Sequence, residues 1–95
     1  MDGKNFHIGK LIQERLKYEE HSISWLARKI NCDRSNIYRI FEREHIDSEL
    51  LLRLSVVLNY NFFDVYVKEY EELQKLYISN NKNLDKAITN KDNAK

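Results

Sequence analysis

The chain has 95 residues, a formal net charge of +1 and 33% charged residues, a composition typical of a small globular domain. A chain of this length forms one domain and has no room for separate catalytic and regulatory domains. Its longest stretch without a charge, from Leu54 to Phe63, has ten residues, whereas a membrane span needs about 20. A single cysteine, Cys32, and a first segment without the apolar run of a secretion signal predict a cytoplasmic protein with no membrane partner.

Two glycines and no proline disfavour a fold of many tight turns, so the composition predicts an all-helical protein. Apolar residues at spacings of three and four predict five helices, the first over residues 6–20. The inward face of this helix consists of Ile8, Leu11, Ile12 and Leu16. The second helix begins at Ser22 or Ser24, either of which can cap its start, and ends at Ile30.

A turn of three residues follows the second helix. Asn31 ends that helix in the left-handed conformation, and Asp33 caps the next helix. Cys32 packs between the two helices as a small, buried hydrophobe, and Ala27 is the small residue that lets them cross closely. The third helix covers residues 34–41 or 34–42, and its inward residues are Ile37, Ile40 and Phe41.

Charged residues from 42 to 46 interrupt the apolar period and predict a loop before the fourth helix. Asp47 or Ser48 caps this helix, which ends near Leu58. Its core-facing residues are Leu50, Leu51, Leu54, Val57 and Leu58. A second turn, residues 59–61, again places asparagine where glycine is usual.

The fifth helix begins near Phe62 and carries an apolar seam at the spacing of a coiled coil: Phe63, Tyr66, Tyr70, Leu73 and Tyr77. In one interpretation Phe62, Phe63 and Tyr66 complete the core. In the other, the seam extends past the core, where an exposed apolar stripe is unfavourable and predicts a homodimer. The dimer interface then consists of Tyr66, Tyr70, Leu73 and Tyr77. From residue 79 the chain is polar and rich in Asn and Lys, which predicts a disordered tail over residues 79–95.

The residues around the first turn read Leu26-Ala27-Arg28-Lys29-Ile30-Asn31-Cys32-Asp33, followed by Ile37 and Ile40. With the later run Leu51-Leu52-Arg53-Leu54-Ser55-Val56-Val57-Leu58, this spacing resembles the Cro/C1-type (xenobiotic-response-element) helix-turn-helix family over residues 8–66. Asn31 stands where the family usually has glycine. Ile23 stands where the family often has a glutamine that holds a phosphate.

The resemblance implies a compact, all-α, five-helix Cro/C1-type helix-turn-helix domain over residues 1–66, a C-terminal helix extension over 67–78 and a polar tail over 79–95. It also implies a transcriptional regulator that binds double-stranded DNA with the third helix in the major groove. As a homodimer, such a protein favours an inverted repeat with half-sites about 34 Å apart.

With Ile37 and Ile40 inward, helical geometry turns five neighbours toward the DNA bases: Arg34, Ser35, Asn36, Tyr38 and Arg39. Phosphate contacts are expected from the start of the second helix and from nearby basic residues: Ser24, Trp25, Arg28, Lys29 and Arg43. Residues 22–43 hold five basic and two acidic side chains, whereas the fifth helix holds four acidic and two basic ones. The positive charge is therefore concentrated in residues 22–43, the segment expected to contact DNA.

Two other classes of protein compete with a transcriptional regulator. A protein-interaction module on the same fold, such as the antitoxin of a toxin–antitoxin pair, is the alternative, and a co-purifying product of a neighbouring gene would identify it. An enzyme is disfavoured, because the sequence has no phosphate-binding glycine loop and no nucleophile with a matching base. His7, His21 and His45 are far apart in sequence, so we expect no metal, no cofactor and no small-molecule ligand.

Overall fold

The computed structural model describes residues 6–80, and all regular secondary structure in this range is α-helical. Five helices follow one another: α1 Ile8–Tyr18, α2 Ile23–Lys29, α3 Arg34–Glu42, α4 Ser48–Val57 and α5 Asp64–Asn80. The predicted all-helical class and the order of its five helices are confirmed. None of these helices is long and apolar enough to span a bilayer. Residues 79 and 80 belong to α5, and the rest of the predicted tail, 81–95, lies outside the described residues.

Capping side chains fix where the first four helices begin. Each accepts a hydrogen bond from the backbone N–H three residues later: His7, Ser22, Asp33 and Asp47. Of the alternatives that the sequence leaves open, Ser22 rather than Ser24 caps α2, and Asp47 rather than Ser48 caps α4. The cap at residue 7 also makes α1 begin two residues later than predicted.

The ends of α1, α2 and α4 share one geometry. In each, the N–H two residues after the C-cap returns to a carbonyl five residues back, as in the 2.9 Å bond from Cys32 to Ala27. The residue after each C-cap has a positive φ, and these residues are Glu20 (61°), Asn31 (60°) and Asn59 (52°). The two asparagines confirm the predicted left-handed turns. The prediction that the first helix reaches Glu20 is wrong, because the chain leaves the helical conformation there and α1 ends at Tyr18.

One hydrophobic core joins the first four helices to the segment before α5. Its buried side chains are Ile8, Ile12, Leu16, Leu26, Ala27, Ile30, Ile37, Ile40, Phe41, Leu51, Leu54, Leu58 and Phe62. Five residues predicted to point inward lie half-buried at its edge instead: Leu11, Cys32, Leu50, Val57 and Phe63. Cys32, expected as a buried plug between the two helices, is thus only partly buried. Its side chain packs against the core from the turn, where solvent still reaches it.

Gly9 lets the start of α1 lie directly against the end of α3. The N–H groups of Ile8 and Gly9 donate to the carbonyls of Glu44 and Arg43 at 3.0 and 2.9 Å. A Cβ atom at Gly9 would collide with the carbonyl oxygen of Phe41. These bonds satisfy N–H groups that a helix start leaves without intrahelical partners, and they hold α3 at its C-terminal end.

Ser55 joins α4 to the turn before α5. Its hydroxyl donates to the Leu51 carbonyl at 2.8 Å and accepts from the Phe62 N–H at 3.2 Å, which brings Phe62 under the core. Val65 and Tyr66 are the last residues of α5 that pack against the core, and no residue of α5 is fully buried. We call residues 6–66 the body of the protein.

Candidate nucleic-acid interface

The segment from Ser22 to Arg43, which we call the α2–α3 unit, is built around the turn between its two helices. Ala27 of α2 and Ile37 of α3 are buried in the core that the helices share. At the turn, Arg53 of α4 donates to the carbonyl of Ile30 at 2.7 Å. Carbonyls at a helix end lack intrahelical partners, so this bond completes the end of α2. The α2–α3 unit is therefore bound to the rest of the body by this hydrogen bond to α4 as well as by the shared core.

Asp33 holds the beginning of α3. Its Oδ1 atom accepts hydrogen bonds from the Ser35 hydroxyl at 2.8 Å and from the Asn36 N–H at 3.0 Å. These two bonds, helped by the charge of Arg39, hold the pKa of Asp33 below its ordinary value. The carboxylate therefore stays ionised at neutral pH. The Ser35 hydrogen is committed to Asp33, which leaves the hydroxyl oxygen to act as an acceptor toward solvent.

The outer face of α3 carries most of the residues predicted to contact bases. Arg34, Ser35, Tyr38 and Arg39 are exposed, whereas Asn36 lies half-buried at the flank. Tyr38 remains 49% exposed although its ring touches the edge of the buried Phe41 ring, with the centroids 6.3 Å apart. The structure thus brings two guanidinium groups, one hydroxyl acceptor and one phenol to a single exposed helix face.

The residues predicted to contact phosphates fall into two environments. Three are exposed basic side chains: Arg28, Lys29 and Arg43. Ser24 and Trp25 are half-buried at the start of α2. The Trp25 ring stacks on the His21 ring at 3.5 Å with the planes 5° apart, and the Lys29 ammonium lies 5.6 Å from its centroid. Trp25 therefore packs at the edge of the core, with His21 and Lys29 against its ring.

Sequence reasoning missed two residues beside the outer face of α3. An open cavity of 420 Å³ lies between α1 and α3, and Lys10 and Gln13 of α1 line it together with Tyr38. Their place beside α3 depends on the close approach that Gly9 permits. No local spacing in α1 signals this neighbourhood, although a lone glycine within a helical pattern is a known sign of close packing.

The four residues predicted to form a dimer interface do not share one environment. The Tyr66 ring packs edge-on against Phe6 at 4.9 Å, and its hydroxyl lies 3.4 Å from His45 Nδ1. Burial raises the pKa of Tyr66. Tyr66 thus belongs to the body, as the first interpretation of the seam expects. Tyr70 is exposed farther along α5, and Leu73 and Tyr77 are half-exposed.

Comparison of the chain with models of known protein families, with curated proteins and with solved structures gives no match in any of the three. Over residues 6–80 the fold is a small assembly of five helices, and the outer face of α3 is exposed and carries two arginines.

Proposed function

We propose that the protein is a sequence-specific DNA-binding transcriptional regulator whose α2–α3 unit is a helix-turn-helix of the Cro/C1 type. The proposal rests on the way in which the structure holds and exposes α3. This helix is fixed at both ends, buries Ile37 and Ile40, and exposes Arg34 and Arg39 on its outer face. A helix presented in this way fits the major groove of duplex DNA.

The spacing of the two arginines supports base readout. Arg34 and Arg39 are five residues apart, which corresponds to about 7.5 Å along the helix axis. They are also about 140° apart around the helix, so the two guanidinium groups flank the outer face and reach different base pairs. Each bidentate contact contributes about 1–3 kcal/mol of discrimination against the wrong base.

Ser35 adds a different kind of contact. Because its hydroxyl hydrogen points to Asp33, its oxygen accepts a hydrogen bond from the amino group of adenine or cytosine. Tyr38 meets a thymine methyl group or donates to a phosphate. The expected site therefore combines guanines, read by Arg34 and Arg39, with an adenine or cytosine beside one of them.

Affinity without base preference comes from the basic side chains around α3. Arg28, Lys29 and Arg43 are exposed within the α2–α3 unit, and Lys10 reaches the same side from α1. Contacts of this kind release counterions, so binding weakens steeply as salt rises.

The test is selection of bound sequences from random duplex DNA at two salt concentrations. We expect an enriched motif, and we expect Arg34→Ala and Arg39→Ala each to relax the preference at a different position, at a cost of about 1–3 kcal/mol. Arg28→Ala weakens binding to all sequences and lowers the slope of log affinity against log salt by about 1.

Lys75→Ala is the control, because it removes another exposed positive charge, on α5 and away from the α2–α3 unit. It leaves both the motif and the salt slope unchanged. The proposal fails if no motif is enriched, or if both arginine substitutions leave the enriched motif as it was.

A further inference from the structure

A groove of 330 Å³ lies on the body where the loop between α3 and α4 meets the start of α5. Its lining residues come from the loop, from α4 and from the α5 segment, and they are His45, Ile46, Ser48, Leu51, Phe63 and Tyr66. None of the residues proposed to contact DNA is among them. No local pattern in the sequence signals a groove built from three separate segments, and the sequence accordingly predicts no small-molecule ligand.

The apolar walls of the groove belong to the core or pack against it. Leu51 is only 2% exposed, and Ile46 and Phe63 lie half-buried at the edge of the core. The ring of Tyr66 is held edge-on against Phe6, with the centroids 4.9 Å apart. The fold of the body therefore positions these side chains before any ligand binds, as in most small-molecule sites.

A few polar groups converge on the same groove. The Tyr66 hydroxyl lies 3.4 Å from His45 Nδ1, and the Ser48 hydroxyl belongs to the lining as well. A phenol oxygen has one hydrogen and two lone pairs, so it can still accept a hydrogen bond after its contact with His45. Burial raises the pKa of Tyr66, which keeps this hydroxyl uncharged at neutral pH. Apolar walls with a small number of convergent polar groups are the usual features of a small-molecule site.

Volume and charge narrow the chemistry of the ligand. An apolar cavity of about 150 Å³ holds a benzene molecule, so a groove of 330 Å³ has room for two fused rings. Acidic residues flank the lining, since Glu44 precedes His45 and Ser48 stands between Asp47 and Glu49. No lysine or arginine lines the groove in the part of the chain that the structure describes. These carboxylates repel an anionic ligand, so a neutral one is favoured.

We propose that this groove binds a neutral aromatic molecule of two fused rings that donates one hydrogen bond to the Tyr66 hydroxyl oxygen. The rings pack against Ile46, Leu51 and Phe63, and the donor is an N–H or O–H group at the edge of the rings. The site is separate from the outer face of α3, so it does not depend on the proposed DNA contacts.

The first test is a titration of the isotope-labelled full chain with indole, a neutral molecule of two fused rings with one N–H group, followed by nuclear magnetic resonance. We expect saturable shifts of the amide signals of Ile46, Ser48, Phe63 and Tyr66, with a dissociation constant of about 1 mM or below. The amide signals of α3 do not show saturable shifts. Shifts that rise without saturating, or saturable shifts confined to other parts of the chain, overturn the proposal.

The second test probes the hydrogen bond and the charge preference. Tyr66→Phe keeps the ring against Phe6 but removes the acceptor, so it weakens indole binding about threefold to tenfold. Tyr70→Phe is the matched control, because it removes the hydroxyl of an exposed tyrosine on the same helix, and it leaves the affinity unchanged.

Indole-3-acetate carries the same rings with a carboxylate, and the acidic residues beside the groove make it bind at least about tenfold more weakly than indole. Unchanged affinity of indole for Tyr66→Phe removes the proposed hydrogen bond and overturns the proposal. Binding of indole-3-acetate as tight as that of indole overturns it as well, because the ligand is then not selected for neutrality.

Discussion

The body and the part of α5 beyond residue 66 have the same apolar spacing, but only the body buries its apolar side chains. In the body, residues at intervals of three and four are buried, and Leu54 has no exposed surface. Beyond residue 66, the same intervals leave Tyr70 62% exposed and Leu73 and Tyr77 half-exposed. The difference lies in what faces each helix. The helices of the body pack against one another, whereas no residue of α5 is fully buried and none beyond Tyr66 packs against the core.

The two regions also differ in charge. The α2–α3 unit is basic and α5 is acidic, so a nearly neutral chain presents a positive side and a negative side. Charge of one sign along one face raises the local attraction for a partner of the opposite sign. The basic side is therefore the one that would attract the polyanion of the proposed function.

The largest expected effect is a truncation in the core compared with the same truncation on α5. Leu54→Ala removes a completely buried side chain from the body and costs about 2–5 kcal/mol of the free energy of unfolding. Leu76→Ala changes a residue that is 46% exposed and costs less than about 1 kcal/mol. Urea unfolding at a concentration that keeps the chain monomeric measures both. Equal losses would mean that α5 is as well packed as the body.

Gly9→Ala is expected to cause the next largest loss of stability, because it disrupts the close contact between α1 and α3. The new methyl group meets the backbone carbonyls of Ile40 and Phe41, which have little freedom to move. Overpacking of this kind costs about 1–3 kcal/mol. Thermal unfolding measures the loss, and Gln13→Ala on the same helix is the control. Unchanged stability in Gly9→Ala would show that α1 and α3 need not touch.

Much of the body follows from local signals in the sequence. Ile37 and Ile40 mark the inward side of α3, so the outward side is fixed by geometry alone, and Arg34 and Arg39 are found there. Asn31 predicts the turn because asparagine tolerates positive φ. These signals act within a few residues of one another, which is why they can be recognised without the fold.

The remaining features depend on residues that are distant in the chain. Arg53 reaches a carbonyl 23 positions away, and Lys10 lies beside α3 because two helices pack closely. Glu20 adopts a positive φ for which its residue type gives no sign. Periodicity also cannot tell whether an apolar face is covered by its own chain, since Leu54 and Tyr70 occupy equivalent periodic positions and only Leu54 is buried.

A smaller effect is expected for Glu20→Gly, and it is a gain in the free energy of unfolding. An ordinary residue in the left-handed conformation costs about 1–2 kcal/mol, and glycine avoids that cost while losing some of the gain through its flexible unfolded state. Glu20→Gly therefore raises the free energy of unfolding by about 0.5–1 kcal/mol. Asn31→Gly gives a smaller change, because asparagine already tolerates positive φ. Chemical unfolding of both variants side by side tests this order, and a loss of stability in Glu20→Gly would contradict it.

The smallest effects are two pH dependences, one at the start of α3 in acid and one at the start of α5 in alkali. The pKa of Asp33 is lowered by the hydrogen bonds from Ser35 and Asn36, so its contribution to stability is complete above the unfolded pKa and is lost as pH falls through the lower, folded pKa. The pKa of Tyr66 is raised by burial, so its contribution is complete below the unfolded pKa and is lost as pH rises through the higher, folded pKa. Both side chains are close to solvent, which keeps both effects small.

Two substitutions separate these contributions. Asp33→Asn retains a capping side chain but removes the carboxyl titration, so the acid limb of the stability profile becomes flatter while the alkaline limb is unchanged. Tyr66→Phe keeps the ring against Phe6 and flattens only the alkaline limb. Melting temperatures measured from pH 2 to pH 11, a range that brackets the ordinary pKa values of about 3.9 and about 10, distinguish the two. If either variant altered both limbs, the start of α3 and the start of α5 would titrate as one coupled site rather than as two independent ones.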